Sequence, residues 1–262
     1  MWDPARYRQF GAERSRPFHE LVARVGVTEP GFVADLGCGP GELTAGLCER
    51  WPTAEVLGVD NSAEMIAAAG KVVAGLQDGL RRRLRFELAD VSDWKPARPV
   101  DVVVSNAMLQ WLPEHEKLLS RWAGYLAPGG WLAFAVPGNF DEPTHRLLRE
   151  LAALPRWRDP LAGVAFNRQA ADPAEYLDLL AREGCAVDAW ETTYLQVLEG
   201  DDPVLRWYKG TGLRPVIAAL DDGQATEFMA EYGALLAEHY PRRPYGTVLP
   251  FRRVFVVAQL MR

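Results

Sequence analysis

Asp35-Leu36-Gly37-Cys38-Gly39-Pro40-Gly41 sets one carboxylate ahead of three glycines at alternate positions. Glycine reaches positive φ without steric cost and lets a ligand lie against the backbone, so this run can serve as a binding turn. A Gly-x-Gly pair alone is weak, because a tight strand-to-helix turn explains it without any ligand. The next residue narrows the chemistry. A dinucleotide turn, Gly-x-Gly-x-x-Gly, needs a third glycine at position 42, where the chain has Glu42. A carboxylate in the first turn of a helix also sits poorly beside a pyrophosphate. No Gly-Lys-Ser/Thr of a P-loop occurs. Three further polar residues, Asp60, Asp90 and Asn106, each follow a short β-rich run. Covalent and metal chemistry have no matching pattern. His19, His115, His145 and His239 are scattered, Cys38, Cys48 and Cys185 lack ligand spacing, and there is no Ser/His/Asp signature.

These side chains need a scaffold, and the first half supplies one by alternating β-rich runs with helical segments. Strands are predicted at Phe32 to Leu36, Glu55 to Val59 ending at Asp60, Leu84 to Leu88 ending at Asp90, Val100 to Ser105 ending at Asn106, and Trp131 to Val136. Helices are expected over Arg16 to Val25 and Glu42 to Arg50. A third starts at Asn61 as N-cap, with Glu64 in the capping-box position. A fourth has Pro113 in its first turn, runs to about Leu126 and stops at Pro128-Gly129-Gly130. The architecture is a doubly wound, mostly parallel α/β sheet. The four polar features then share the carboxyl ends of successive strands, where open α/β sheets bind ligands.

The second half is less regular. Asp141, Asp172 and Asp202 precede prolines as helix N-caps. Strands are expected at Val187 to Val197 and Arg253 to Leu260, completing seven, and residues 198–250 read as mostly helical. We therefore expect a core of residues 1–137, 174–197 and 251–262, and a helical cap of residues 138–173 and 198–250.

Composition excludes several classes. A chain of 262 residues with 48% hydrophobic and 24% charged residues is globular. Its net charge of −6 disfavours nucleic acid as main ligand, while leaving room for a small anion held by a local cation cluster. No apolar run approaches the roughly 18 residues of a membrane span, and the N-terminus lacks a signal-peptide pattern. Three cysteines that cannot all pair fit a reduced cytoplasmic setting. Monomer and homodimer are both open.

The glycine run resembles motif I of class I S-adenosylmethionine-dependent methyltransferases, whose cofactor carries no phosphate. Segments along nearly the whole chain are similar to the trans-aconitate 2-methyltransferase family. They include Phe10-Gly11-Ala12-Glu13-Arg14-Ser15-Arg16-Pro17, Asn106-Ala107, Leu109-Gln110-Trp111-Leu112-Pro113, Glu142-Pro143-Thr144-His145, Pro160-Leu161-Ala162-Gly163-Val164 and Thr211-Gly212-Leu213-Arg214-Pro215. Glu42 and the long crossover Leu76 to Arg83 depart from that pattern. The resemblance implies a Rossmann-like methyltransferase fold, with S-adenosylmethionine held by Arg16, Asp35, Gly37, Cys38, Gly39, Gly41, Asp60, Asn61, Asp90, Val91, Asn106 and Trp111.

It further implies methyl transfer to a carboxylate of trans-aconitate. A carboxylate, with a reference pKa of about 4, is ionised at neutral pH, so no catalytic base is expected, only positioning and desolvation. A small polycarboxylate needs cations, each charge-assisted bond contributing about 1.5–3 kcal/mol. Expected substrate contacts are Arg14, His19, Gln110, Trp111, His145, Trp207, Lys209, Arg214, Tyr245 and Arg252. Trp111 reads equally well as a core residue. If Arg252 and Arg253 are both extended they face opposite ways, so at most one reaches the pocket. Rival readings are a methyltransferase acting on an acyl-carrier-protein-linked carboxylate or a quinone ring, a nicotinamide-dependent dehydrogenase, and a non-enzymatic protein that binds S-adenosylhomocysteine.

Overall fold

A computed structural model describes residues 11–166 and 170–261, with the side chains of residues 11–14 outside that description. Seven strands form one sheet: β1 (Phe32–Leu36), β2 (Glu55–Asp60), β3 (Leu84–Leu88), β4 (Val100–Asn106), β5 (Leu126–Pro137), β6 (Cys185–Leu198) and β7 (Thr247–Leu260), in the order β3-β2-β1-β4-β5-β7-β6. The pairings β3-β2, β2-β1, β1-β4 and β4-β5 are parallel, and β5-β7 is antiparallel. Strands β1 and β4 are almost wholly buried, as central parallel strands with helices on both faces must be. The strand order reverses between them, at the switch point where such sheets open a crevice.

The helices are α1 (Gly11–Ala23), α2 (Glu42–Arg50), α3 (Ala63–Ala74), α4 (Asp78–Arg81), α5 (His115–Ala123), α6 (Pro143–Ala152), α7 (Pro155–Arg158), α8 (Pro173–Arg182), α9 (Pro203–Lys209), α10 (Arg214–Ala219) and α11 (Asp222–His239). The chain divides into two compact units. One comprises residues 11–137, 170–192 and 253–261, and the other residues 138–166 and 193–252. The first holds most of the sheet. In the second, Trp157 meets Phe228 edge-on and Trp207 packs on Phe251. No helix among the described residues is long and apolar enough to cross a membrane.

Several local expectations shift. The N-cap of α3 is Ser62, not Asn61: its hydroxyl oxygen accepts from Met65 N at 3.3 Å and its hydroxyl hydrogen goes to Glu64 Oε2 at 2.8 Å. Two adjacent cap-forming residues made the choice ambiguous. Likewise Glu142, not Asp141, is the N-cap of α6. Pro113 lies before α5, because a left-handed Glu114 (φ 55°) separates it from the helix. Helix α5 stops at Ala123, and Pro128-Gly129-Gly130 lies within β5 instead of ending a helix. Val100 pairs with Leu126 but Val102 with Trp131, so the intervening residues bulge, and Gly129 (φ 76°) takes the conformation this needs. Strand β7 begins at Thr247, six positions before Arg253, so the helical reading of residues 198–250 ends at His239.

Candidate cofactor and substrate site

The glycine turn is laced to the end of β2. Gly37 and Cys38 both donate backbone N–H groups to Val59 O, at 2.8 and 3.0 Å. Asp60 Oδ2 accepts from Gly39 N at 2.9 Å and Asp60 Oδ1 from Ser62 N at 2.9 Å. One carboxylate thereby fixes both turns that flank the crevice. Gly37, Gly39 and Gly41 all have positive φ (82°, 56° and 83°), but their surroundings differ. A Cβ at Gly37 would stand 2.3 Å from Met108 Cγ, and one at Gly41 2.6 Å from Phe86 Cζ. Among the described residues, a Cβ at Gly39 would meet nothing within 4 Å. Gly37 and Gly41 are therefore glycines because protein fills the space, whereas no described residue covers the backbone at Gly39.

Asp35 is buried beneath this turn, and Thr44 Oγ1 donates to its Oδ2 at 2.6 Å. Burial pushes its carboxyl up to about 7. The Thr44 bond opposes that rise and the charge of Asp60 adds to it. Asp90 is exposed, and its Oδ1 accepts from Ser92 N at 2.8 Å, while the adjoining Val91 is buried. Asn106 ends β4, with its Oδ1 receiving Arg253 Nη1 at 3.5 Å. Arg253 is only 5% exposed and reaches this place because β7 pairs antiparallel with β5, setting it opposite Pro137. Arg252 faces elsewhere and donates from Nη1 to Gly138 O at 2.9 Å. After β4 the chain turns through Ala107 (φ 57°), and the buried Gln110 donates from Nε2 to Ala107 O at 2.6 Å. Trp111 is half-buried.

Asp35, the glycine turn, Asp60, Asp90 and Asn106 thus share the carboxyl ends of four adjacent parallel strands. Residues from other expected positions stand differently. Asn61 is exposed, Arg16 is ion-paired with Glu20 at 2.9 Å on α1, and His19 is exposed edge-on to Phe18. Arg14 has its side chain outside the described residues. In the second unit, Lys209 is exposed, Arg214 half-buried, and Trp207 3% exposed in the core. Tyr245 sits exposed in a turn, its hydroxyl accepting from Arg243 Nη1 at 2.9 Å. Thr44, Gly58 and Met108 were not singled out from sequence, and Ala107 entered only as part of a resembling segment. Only Gly58 carried a signal, being a glycine inside a strand, where Phe86 occupies the space of its missing Cβ at 2.5 Å.

Residues 33–130 match a family model described as Methyltransferase domain. Trans-aconitate 2-methyltransferase of Streptomyces avermitilis is 53% identical over 260 residues, covering 98% of this chain and 96% of the relative. The chain belongs to the trans-aconitate 2-methyltransferase family. The enzyme of that name from Rhodococcus jostii is 52% identical over 263 residues, covering 99% and 100% of the two chains. Among solved structures, geranyl diphosphate C-methyltransferase from Streptomyces coelicolor, in complex with S-adenosyl-L-homocysteine, superposes with a TM-score of 0.54. It is 17% identical, with 94% of this chain and 79% of that one covered, a likeness of fold.

Two segments that carry the family resemblance meet inside the second unit of this trans-aconitate 2-methyltransferase family member. Tyr208 OH receives Asn139 Nδ2 at 2.5 Å and pairs with Thr144 Oγ1 at 2.8 Å, while Tyr232 OH donates to Thr144 O at 2.8 Å. His145 meets Phe140 and Tyr208 edge-on, and a Cβ on Gly212 would lie 3.1 Å from Tyr208 Cδ1. Burial, aided by the Arg149 cation, lowers the His145 imidazole to about 4, against weaker raising effects from the Asn139 backbone and Asp141. A depressed histidine pKa contributes stability that is complete above the ordinary value near 6.5 and is lost as pH falls from there toward about 4. Relative to His145→Gln, the natural protein is expected to lose up to about 1.4 kcal/mol per pH unit across that window. Urea unfolding at several pH values measures this, and parallel profiles for the two proteins would refute it.

Proposed function

We propose that the protein transfers a methyl group from S-adenosylmethionine to a carboxylate oxygen of trans-aconitate, yielding the monomethyl ester and S-adenosylhomocysteine. The observation that carries this reading is Arg253, a buried guanidinium beside Asn106 at the carboxyl end of β4, within a chain 53% identical to a relative named for that reaction. A buried cation there favours an acceptor that is already an anion, as a carboxylate is at neutral pH.

The residues fit the cofactor. The open backbone at Gly39 suits a ligand lying flat on the turn, and a buried acid at Asp35 suits a cationic one. Asp60 would accept from the ribose hydroxyls, Asp90 with Val91 would bound the base, and Asn106 with Trp111 would flank the reacting end. When bound, S-adenosylmethionine supplies a methyl group activated by its sulfonium, so an O–CH3 bond forms as the S–CH3 bond breaks and no proton moves. Arg253 orients and partly desolvates the acceptor, which is the work a base-free transfer requires. The three cysteines are free and buried, in keeping with a reducing, cytoplasmic setting.

Labelled S-adenosylmethionine, offered with trans-aconitate, cis-aconitate, citrate and isocitrate side by side, tests this. Methyl-ester formation is expected with trans-aconitate in clear preference to the other three. Cofactor binding without turnover of any of the four would remove the substrate assignment and leave the cofactor site standing.

A further inference from the structure

The loop that follows β4 contains a backbone conformation its residues do not favour. Ala107 has φ 57°, the left-handed region that a side-chain-bearing residue occupies at a cost of about 1–2 kcal/mol. Its own N–H continues the ladder by donating to Ala135 O at 2.8 Å, so the residue is gripped on its amino side by β5. On its carbonyl side the only partner described is Gln110, whose Nε2 approaches Ala107 O to 2.6 Å. Turning the Gln110 amide over would set two carbonyl oxygens at that separation, so the donor orientation is forced by electrostatics. Gln110 is 8% exposed, and its Oε1 has no partner among the described residues.

The turn at Ala107 has two effects on the crevice. It brings Met108 down onto the glycine turn, with Cγ in the space a Gly37 Cβ would need, and it ends β4 at Asn106, beside Arg253. We infer that Gln110 is a positioning residue: its amide clamps Ala107 in the left-handed conformation, and through that clamp it sets Asn106 and Met108 for methyl transfer. Gln110 acts in this way with no need to touch the substrate. The activity part of this inference rests on the methyl-transfer reading above, while the conformational part does not.

A two-by-two set of variants tests it: natural protein, Gln110→Met, Ala107→Gly and the pair together. Glycine takes positive φ freely, so it partly replaces the clamp. Gln110→Met alone is expected to lower kcat for trans-aconitate about 5- to 30-fold, the factor by which a left-handed alanine is disfavoured, with KM nearly unchanged. In the Ala107→Gly background the same substitution is expected to cost less than about threefold. Equal losses in both backgrounds, no loss in either, or a loss confined to KM would overturn the clamp. If trans-aconitate is not turned over even by the natural protein, the substrate reading has failed, and the clamp is read from a crystal structure of Gln110→Met. A negative φ at Ala107 there supports it, and a φ still near 57° overturns it. Should Gln110→Met not fold, recovery of folding in the double variant supports the clamp and continued failure overturns it.

Discussion

Asp60→Ala is expected to weaken binding of S-adenosylhomocysteine by at least about 100-fold, roughly the loss of one to two charge-assisted hydrogen bonds. The carboxylate has two duties at once. It holds Gly39 N and Ser62 N at 2.9 Å each, and so fixes the glycine turn against the start of α3. It is also the group proposed to receive the ribose hydroxyls. Removing it leaves two backbone donors without their acceptor and takes away the ligand's polar anchor, and neither loss is replaced by an alanine methyl. Asp60→Asn should fall between, since one oxygen remains to accept while the new amide N–H faces a backbone N–H. Isothermal titration calorimetry of the three proteins measures the series. Affinity retained within threefold in Asp60→Ala would falsify the assignment of Asp60 to the cofactor.

The second large effect is expected at Arg253. Arg253→Met keeps the apolar stem and removes the guanidinium, and should raise KM for trans-aconitate by about 30- to 100-fold, the range for one charge-assisted pair. Cofactor affinity should change by less than about threefold, because the residue is proposed to meet the acceptor. Steady-state kinetics with calorimetry in parallel separates the two quantities. Equal losses of substrate and cofactor affinity would mean that Arg253 merely holds β7 and Asn106 in place. Arg252→Met is the natural comparison, since its guanidinium is engaged with Gly138 O and lies on the other side of the strand.

That pair of arginines shows where sequence reasoning reaches and where it stops. Alternation along a strand says that Arg252 and Arg253 point opposite ways, but not which one turns inward. The answer comes from register. Arg253 is opposite Pro137 because β7 pairs with β5, more than a hundred residues earlier, and no local pattern encodes that choice. Asp60, Asp90 and Asn106 were legible because each follows a β-rich run, and Asp35 because it leads into the glycine turn, while parallel strands deliver their carboxyl ends to one edge. The bulge in β5 was misread because proline and glycine stop helices and permit bulges alike. The left-handed Ala107 left no trace, since alanine there announces nothing. Its cause is a hydrogen bond from Gln110, three residues on, a glutamine that the family resemblance assigns to ligand recognition.

The three glycines of the turn have different histories ahead of them. Gly37 and Gly41 are confined by Met108 and Phe86, so any descendant that keeps this fold must keep them, whatever it binds. Among the described residues Gly39 meets no such wall, and apart from its φ a ligand against its backbone is what would oppose a side chain there. A lineage that had abandoned the cofactor would therefore retain the first and third glycines and let the middle one drift, first to asparagine, the residue after glycine that best tolerates a left-handed backbone. Position 39 is in that sense a record of use, and its neighbours are a record of architecture.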